Sequence, residues 1–296
     1  ELSHLINPRR LERFVKVATD ALSKRSPRFN IPPTTRFFAS NEQTELPESK
    51  QIRTGLADSV AWLSTVASHR GLSSQYRPTD FTSAAERIVG EVLKDSDWRL
   101  WASLSENLQA LAEGAPKAFL DALKNAAGNK ASFAPLFAQD ARGNGLFCEC
   151  AHAGLLWALE ILVWEPKWFT EVVRILVSLT QFDSGGQYVN RPFETLAELF
   201  HPLGKRSWAS NDQRIRELER LAKDSDSEPF AWKILLENLN SAYRGCSIDS
   251  NRQPRFLNIL NAQSQGIPDF VYYSPAETKQ MMDTTRKLTI NALDRD

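Results

Sequence analysis

Only three cysteines, Cys148, Cys150 and Cys246, occur among 296 residues. That odd, small number excludes a disulfide framework and points to a reducing compartment, the cytoplasm. Net charge is absent too. The 36 Lys and Arg residues balance 36 Asp and Glu, so no overall field draws the chain to nucleic acid or to an anionic membrane, and neither is an expected partner. The longest apolar run, Ala153–Trp164, is interrupted by Glu160 and is far shorter than the ~20 residues that cross a bilayer. Methionine is confined to Met281 and Met282, and the chain opens at Glu1-Leu2-Ser3 with neither an initiator Met nor a charged-then-apolar signal pattern. It reads as a piece of a longer polypeptide.

The familiar catalytic spacings are missing as well. There is no Gly-x-Ser-x-Gly elbow and no His-Glu-x-x-His. Gly204-Lys205-Arg206 lacks the hydroxyl residue that a phosphate-cradling loop places on magnesium, and Gly143-x-Gly145 lacks the preceding strand of a dinucleotide fingerprint. Cys148-x-Cys150-x-His152 offers zinc-type ligands, but a tetrahedral site needs about four. In a helical segment, moreover, Cys150 would point away from the other two. No metal, no cofactor and no catalytic residue is expected in this chain.

What is present is helix after helix. Asn7-Pro8 is a cap followed by a proline at the first helical position, leading into Leu11, Phe14, Val15, Ala18 and Leu22 at three-and-four spacing. Residues 26–48 lose all period and read as a long connector or arm. Ile52, Leu56, Val60, Leu63 and Val66 form the next stripe, and Ser83–Glu86 has capping-box spacing for another helix. Trp101, Leu104, Leu108 and Leu111 make the cleanest face, and Pro116 opens a helix with Phe119, Ala122 and Leu123 inward. After an irregular stretch over 128–147, a helix from about Cys148 to Val163 is apolar nearly all round and is expected to be buried on all sides. Helices opened by Pro166, Pro192, Ser210 and Pro229 follow, and Ser274-Pro275-Ala276-Glu277 caps a last one.

Helix starts near 150 and 192, and near 166 and 211, lie roughly 42 and 45 residues apart, within the period of paired-helix repeats. The predicted fold is therefore all-α, with antiparallel helix pairs stacked as an irregular HEAT- or TPR-like solenoid. Four divisions are expected: an N-terminal helix and connector over 1–50, helical groups over 51–147 and 148–240, and a loop with a C-terminal helix over 241–296.

Four residues are binding candidates. Glu160 is the one acid in the most apolar helix, where an unpaired carboxylate would be costly, and a structural role is favoured for it. His152 is the titratable group nearest to it in sequence. Arg191 is a cation at a turn whose neighbours Asn190 and Pro192 are explained by capping. Arg255 stands beside Phe256 in a long loop, a basic-aromatic pairing more often solvated than bound to nucleic acid.

Six stretches together resemble a known class: Gly55–Val60, Asp97–Leu104, Ala115–Leu123, His152–Glu160, Gly185–Pro192 and Trp232–Leu236. They are similar to the helical-repeat portion of large bacterial antiviral STAND-type NTPases, in which an effector and an NTPase module precede a long sensor array. The likeness spans about residues 51–257 and departs at Cys148-Glu149-Cys150, where small polar residues would precede His152. It implies a non-catalytic module that recognises a protein ligand, such as a phage protein. Its other partners would be domains of its own parent chain, through which it could oligomerise. The alternatives are a helical enzyme with a site around His152 and Glu160, or a structural spacer.

Overall fold

The computed structural model describes residues 7–39, 45–67, 78–139, 150–186, 188, 190–244, 254–256 and 272–293. Across these residues the protein is all-helical, and its one extended pairing is a single antiparallel bridge between Gly204 and Tyr272. Helix α1 (Pro8–Leu22) begins as the sequence dictates. The Asn7 side chain accepts the Arg10 amide at 2.9 Å, Pro8 occupies the first turn, and Leu11, Val15, Ala18 and Leu22 are buried.

The described part of the connector is laid down on the body and is not a free arm. Two 3₁₀ turns, Pro27–Asn30 and Arg36–Phe38, place Phe29 and Arg36 inside, with Phe29 edge-on to Trp98. Turns this short never develop the repeating stripe by which a helix announces itself.

Helix α2 (Lys50–Trp62) runs into a π-helical turn, Leu63–Ala67. Its buried face is Arg53, Ala57, Val60 and Ala61, and Ile52 is 54% exposed. Val60 and Leu63 of the expected stripe are buried and Leu56 packs against the core, but in the first turn Arg53 lies inward where Ile52 was anticipated. Helix α3 (Pro78–Val92) starts five residues before the expected cap, so Ser83–Glu86 lies within it. The face of Trp101, Leu104, Leu108 and Leu111 is completely buried, but it is spread over α4 (Trp98–Ser103), a turn at 104–107 that carries Leu104, and α5 (Leu108–Gly114). Trp101 packs edge-on against Phe119 of α6 (Pro116–Ala127) and against Phe133, and its indole N–H donates to Ser96 at 2.8 Å. The stretch 130–136, expected to be irregular, forms helical turns that bury Phe133 and Leu136.

Helix α7 (Ala153–Leu162) is buried nearly all round, as its composition predicts. It packs most extensively against α5. The approach is so close that a Cβ on Gly154 would run into the Ser105 carbonyl, while the Gly154 amide donates to the Ser105 hydroxyl. Next come α8 (Phe169–Thr180), α9 (Pro192–Leu199), α10 (Asn211–Leu221), α11 (Glu228–Arg244) and α12 (Pro275–Leu293). Helix α8 packs on both α9 and α6, and α11 on α12. One apolar cluster runs from Leu11 to Met281, so the core is continuous across the sequence division at 147/148.

Among the described residues, four buried arginines tie this core together: Arg36, Arg53, Arg191 and Arg214. Each donates to main-chain carbonyls. Arg53 reaches Ala21 O at 2.5 Å and Ser103 O at 3.5 Å, the last turns of α1 and α4. Carbonyls at helix C-termini have no partner within their own helix and carry the negative end of its dipole, so a guanidinium there satisfies both needs. Burial pulls the Arg53 pKa down, opposed by the charge of Glu48.

Candidate functional site

Helix α7 carries two of the residues nominated from sequence. His152 sits at its N-cap, completely buried, with the Phe137 ring 5.3 Å away. Its Nε2 lies 2.9 Å from the Asn190 carbonyl and 3.3 Å from Cys150 Sγ. The contact with Cys150 corrects the helical expectation: the helix starts at Ala153, so the turn before it folds the thiol back onto the imidazole. A carbonyl only accepts, so Nε2 carries the hydrogen and the thiol does not face a free base at that nitrogen. Cys148 lies outside the described residues, and no three His, Cys, Asp or Glu side chains gather as metal ligands would among those described.

Arg191 meets the same joint from its other side. It is buried, donates to Phe137 O at 3.2 Å and Tyr188 O at 3.1 Å, and pairs with Asp183 at 3.1 Å. Arg191, not Asn190, is the N-cap of α9, and it makes no side-chain capping bond. Asn190 instead presents its carbonyl to His152. Glu160 is half-buried and accepts a hydrogen bond from Thr195 of α9 at 3.3 Å. Eight residues along one helix separate it from His152, about 12 Å of axis, so the two do not form one site. Arg255 lies elsewhere, its exposed guanidinium 3.1 Å from Asp58. The main-chain amides of Arg255 and Phe256 both donate at 2.8 Å to Glu113, a buried carboxylate of α5.

A further polar constellation was not nominated at all. It forms where residues 199–214 meet the segment 272–280. Arg214 of α10 is fully buried, donating to Leu199 O at 3.0 Å, His201 O at 2.7 Å and Asn211 Oδ1 at 3.2 Å, with its guanidinium carbon 4.0 Å from the Tyr273 ring centre. All three acceptors are neutral. Burial lowers the Arg214 pKa, partly offset by Tyr273 and Glu277. Burial raises the Tyr273 phenol, with Arg214 and Ser207 opposing. His201 is pushed below its ordinary value, first by burial and then by the cations Arg206 and Arg214. Glu277 is lowered by the Ser274 amide and hydroxyl it binds, with burial opposing and the charges of Lys205 and Arg214 adding to the effect. The Lys205 ammonium lies over both Trp208 and Tyr273, at 5.0 and 5.3 Å.

One sequence signal could have revealed this region. Arg214, Leu218 and Leu221 share the four-and-three spacing of an inward stripe, just as Arg53 does with Ala57 and Val60. Reading charged residues as solvated concealed both.

No family model, curated protein or solved structure matches the chain.

Proposed function

We propose that this chain is a non-catalytic helical-repeat module that recognises a protein ligand through its outer surface, as part of a longer cytoplasmic defence protein. The observation that carries the reading is a division of labour among side chains. His152, Glu160, Arg191 and Arg214 are engaged in joining helix to helix. Large apolar groups stand outside instead: Phe38, Leu236, Tyr272, Ile290 and Leu293 are each half or more exposed. The aromatic ones, Phe38 and Tyr272, are of the kind enriched where proteins meet. The stacked helices would act as an irregular solenoid whose neighbours supply each other's core, and the likeness to STAND-type arrays makes a phage protein the ligand class. Among the described residues no helix is long and apolar enough to cross a membrane.

The test is capture from phage-infected lysate, followed by rebinding of the recovered protein in purified form. One viral protein that rebinds at equal stoichiometry supports the reading. Failure of both this chain and its full parent to retain any viral protein overturns it.

A further inference from the structure

We propose that His201 is a proton-operated catch for the C-terminal strap, residues 272–293: neutral His201 shapes the turn on which the strap docks, and protonated His201 releases it. The geometry begins at one ring nitrogen. His201 Nδ1 accepts the main-chain amides of Leu203 and Gly204, both at 3.2 Å. Nδ1 offers a single lone pair, so it must be unprotonated, and a proton placed there would turn both contacts into donor against donor.

The turn held in this way is the strap's landing place. Pro202 O accepts the Thr278 hydroxyl at 3.0 Å, Leu203 O accepts the Tyr273 amide at 3.0 Å, and Gly204 bridges to Tyr272. Further attachments come from α10, where Asn211 donates to Glu277 O and Gln280 Oε1 and Asp212 accepts from Gln280.

The surrounding charges favour release on protonation. Facing His201 are Arg206 from its own loop, held by Glu198 of α9, and Arg214 from α10. From the strap, Tyr273 and Glu277 act on Arg214, and from α11 the neutral amide of Asn238 donates to Phe200 O. A proton on His201 therefore adds a third cation beside the buried Arg214 and the half-buried Arg206. Burial already holds this imidazole below 6.5.

The strap is weakly held by apolar contact. Only Met281 and Thr285 of its 19-residue helix are buried. Its N-terminus is capped from within. The Ser274 amide and hydroxyl bind Glu277 Oε2 at 2.8 Å, and the Glu277 amide returns to Ser274 Oγ at 3.3 Å. The helix therefore retains its own cap when lifted.

The sign follows from linkage. The undocked state binds more protons than the docked one, so docking is complete above the ordinary histidine value and weakens as pH falls through it. The loss is at most about tenfold per pH unit and stops at the docked-state value.

Hydrogen exchange of the whole chain, corrected for intrinsic rates, tests this at about pH 7.5 and about pH 5.5. Strap amides should lose up to about tenfold protection on acidification while α5 and α7 amides hold theirs. In His201→Asn the side-chain oxygen is an acceptor that cannot be protonated, so strap protection should become independent of pH. Should that variant misfold, nitrogen NMR of the native imidazole gives the same answer, with Nδ1 protonation coinciding with loss of strap protection. Unchanged strap protection in the native chain, an equal loss at α5 and α7, an equal loss in His201→Asn, or Nδ1 protonation without strap release would each overturn the proposal.

Discussion

Two single positions show how closely this fold packs its backbone and how it buries charge. At Gly154 the α7 backbone rests on Ser105, where a methyl group would collide with a main-chain carbonyl. A carbonyl held between helices cannot swing aside as the end of a side chain can, so the helices themselves must part. Gly154→Ala should destabilise the protein by about 1–3 kcal/mol, the range for overpacking a dense interior, measured by urea unfolding. A neutral or stabilising outcome would mean that the α5–α7 seam is looser than its geometry. Arg214 is the complementary case. Its guanidinium serves three acceptors on three residues, a fork that an ammonium cannot reproduce. Both Arg214→Met and Arg214→Lys should lose on the order of 3 kcal/mol, because buried carbonyls are left without donors. Retained stability in the lysine variant would show that charge matters here and geometry does not.

At the scale of the element, what could be read from sequence was what lies within one helix. The caps at Asn7 and Ser274 and the proline starts at 116 and 192 depend on neighbours four residues away at most, and each is present. The burial of α7 is supplied by other helices but is written in its own almost wholly apolar composition. What could not be read depends on distant partners. Periodicity alone cannot detect the break between α4 and α5, since Trp101, Leu104, Leu108 and Leu111 still reach one core across the turn. Arg36 and Arg53 look solvated until the carbonyls they serve are brought beside them by other helices. The candidate site was hidden for the same reason: His201, Arg214 and Tyr273 converge only after the chain returns from α11 to α12. The internal capping box of α12 supplies an element-scale prediction. Ser274→Ala removes the hydroxyl that joins both halves of the box and should cost about 1 kcal/mol. The loss should appear as roughly fivefold faster exchange confined to residues 275–293. Uniform acceleration throughout the chain would instead make α12 part of the global unfolding unit.

For the molecule as a whole, the question is whether the two helical groups are units or halves. Sequence divides them at 147/148, where glycines collect, yet the most extensive helix contact joins α5 to α7 across that line, and α6 to α8 repeats the crossing. His152 and Arg191 tighten the same joint, both reaching the Phe137–Asn190 region from the second group. A helix such as α7, apolar on every side, cannot be solvated on the face it would lose. Cutting there would expose Leu155, Leu156 and Leu159, now entirely buried, along with the α5 surface that covers them. Such large apolar faces drive association or collapse instead of independent folding. Residues 51–147 and 148–240 produced separately should therefore each lack a cooperative thermal transition, and the intact chain should unfold its core in one transition with calorimetric and van't Hoff enthalpies in agreement. A sharp, reversible transition in either half alone would show that the groups are true domains.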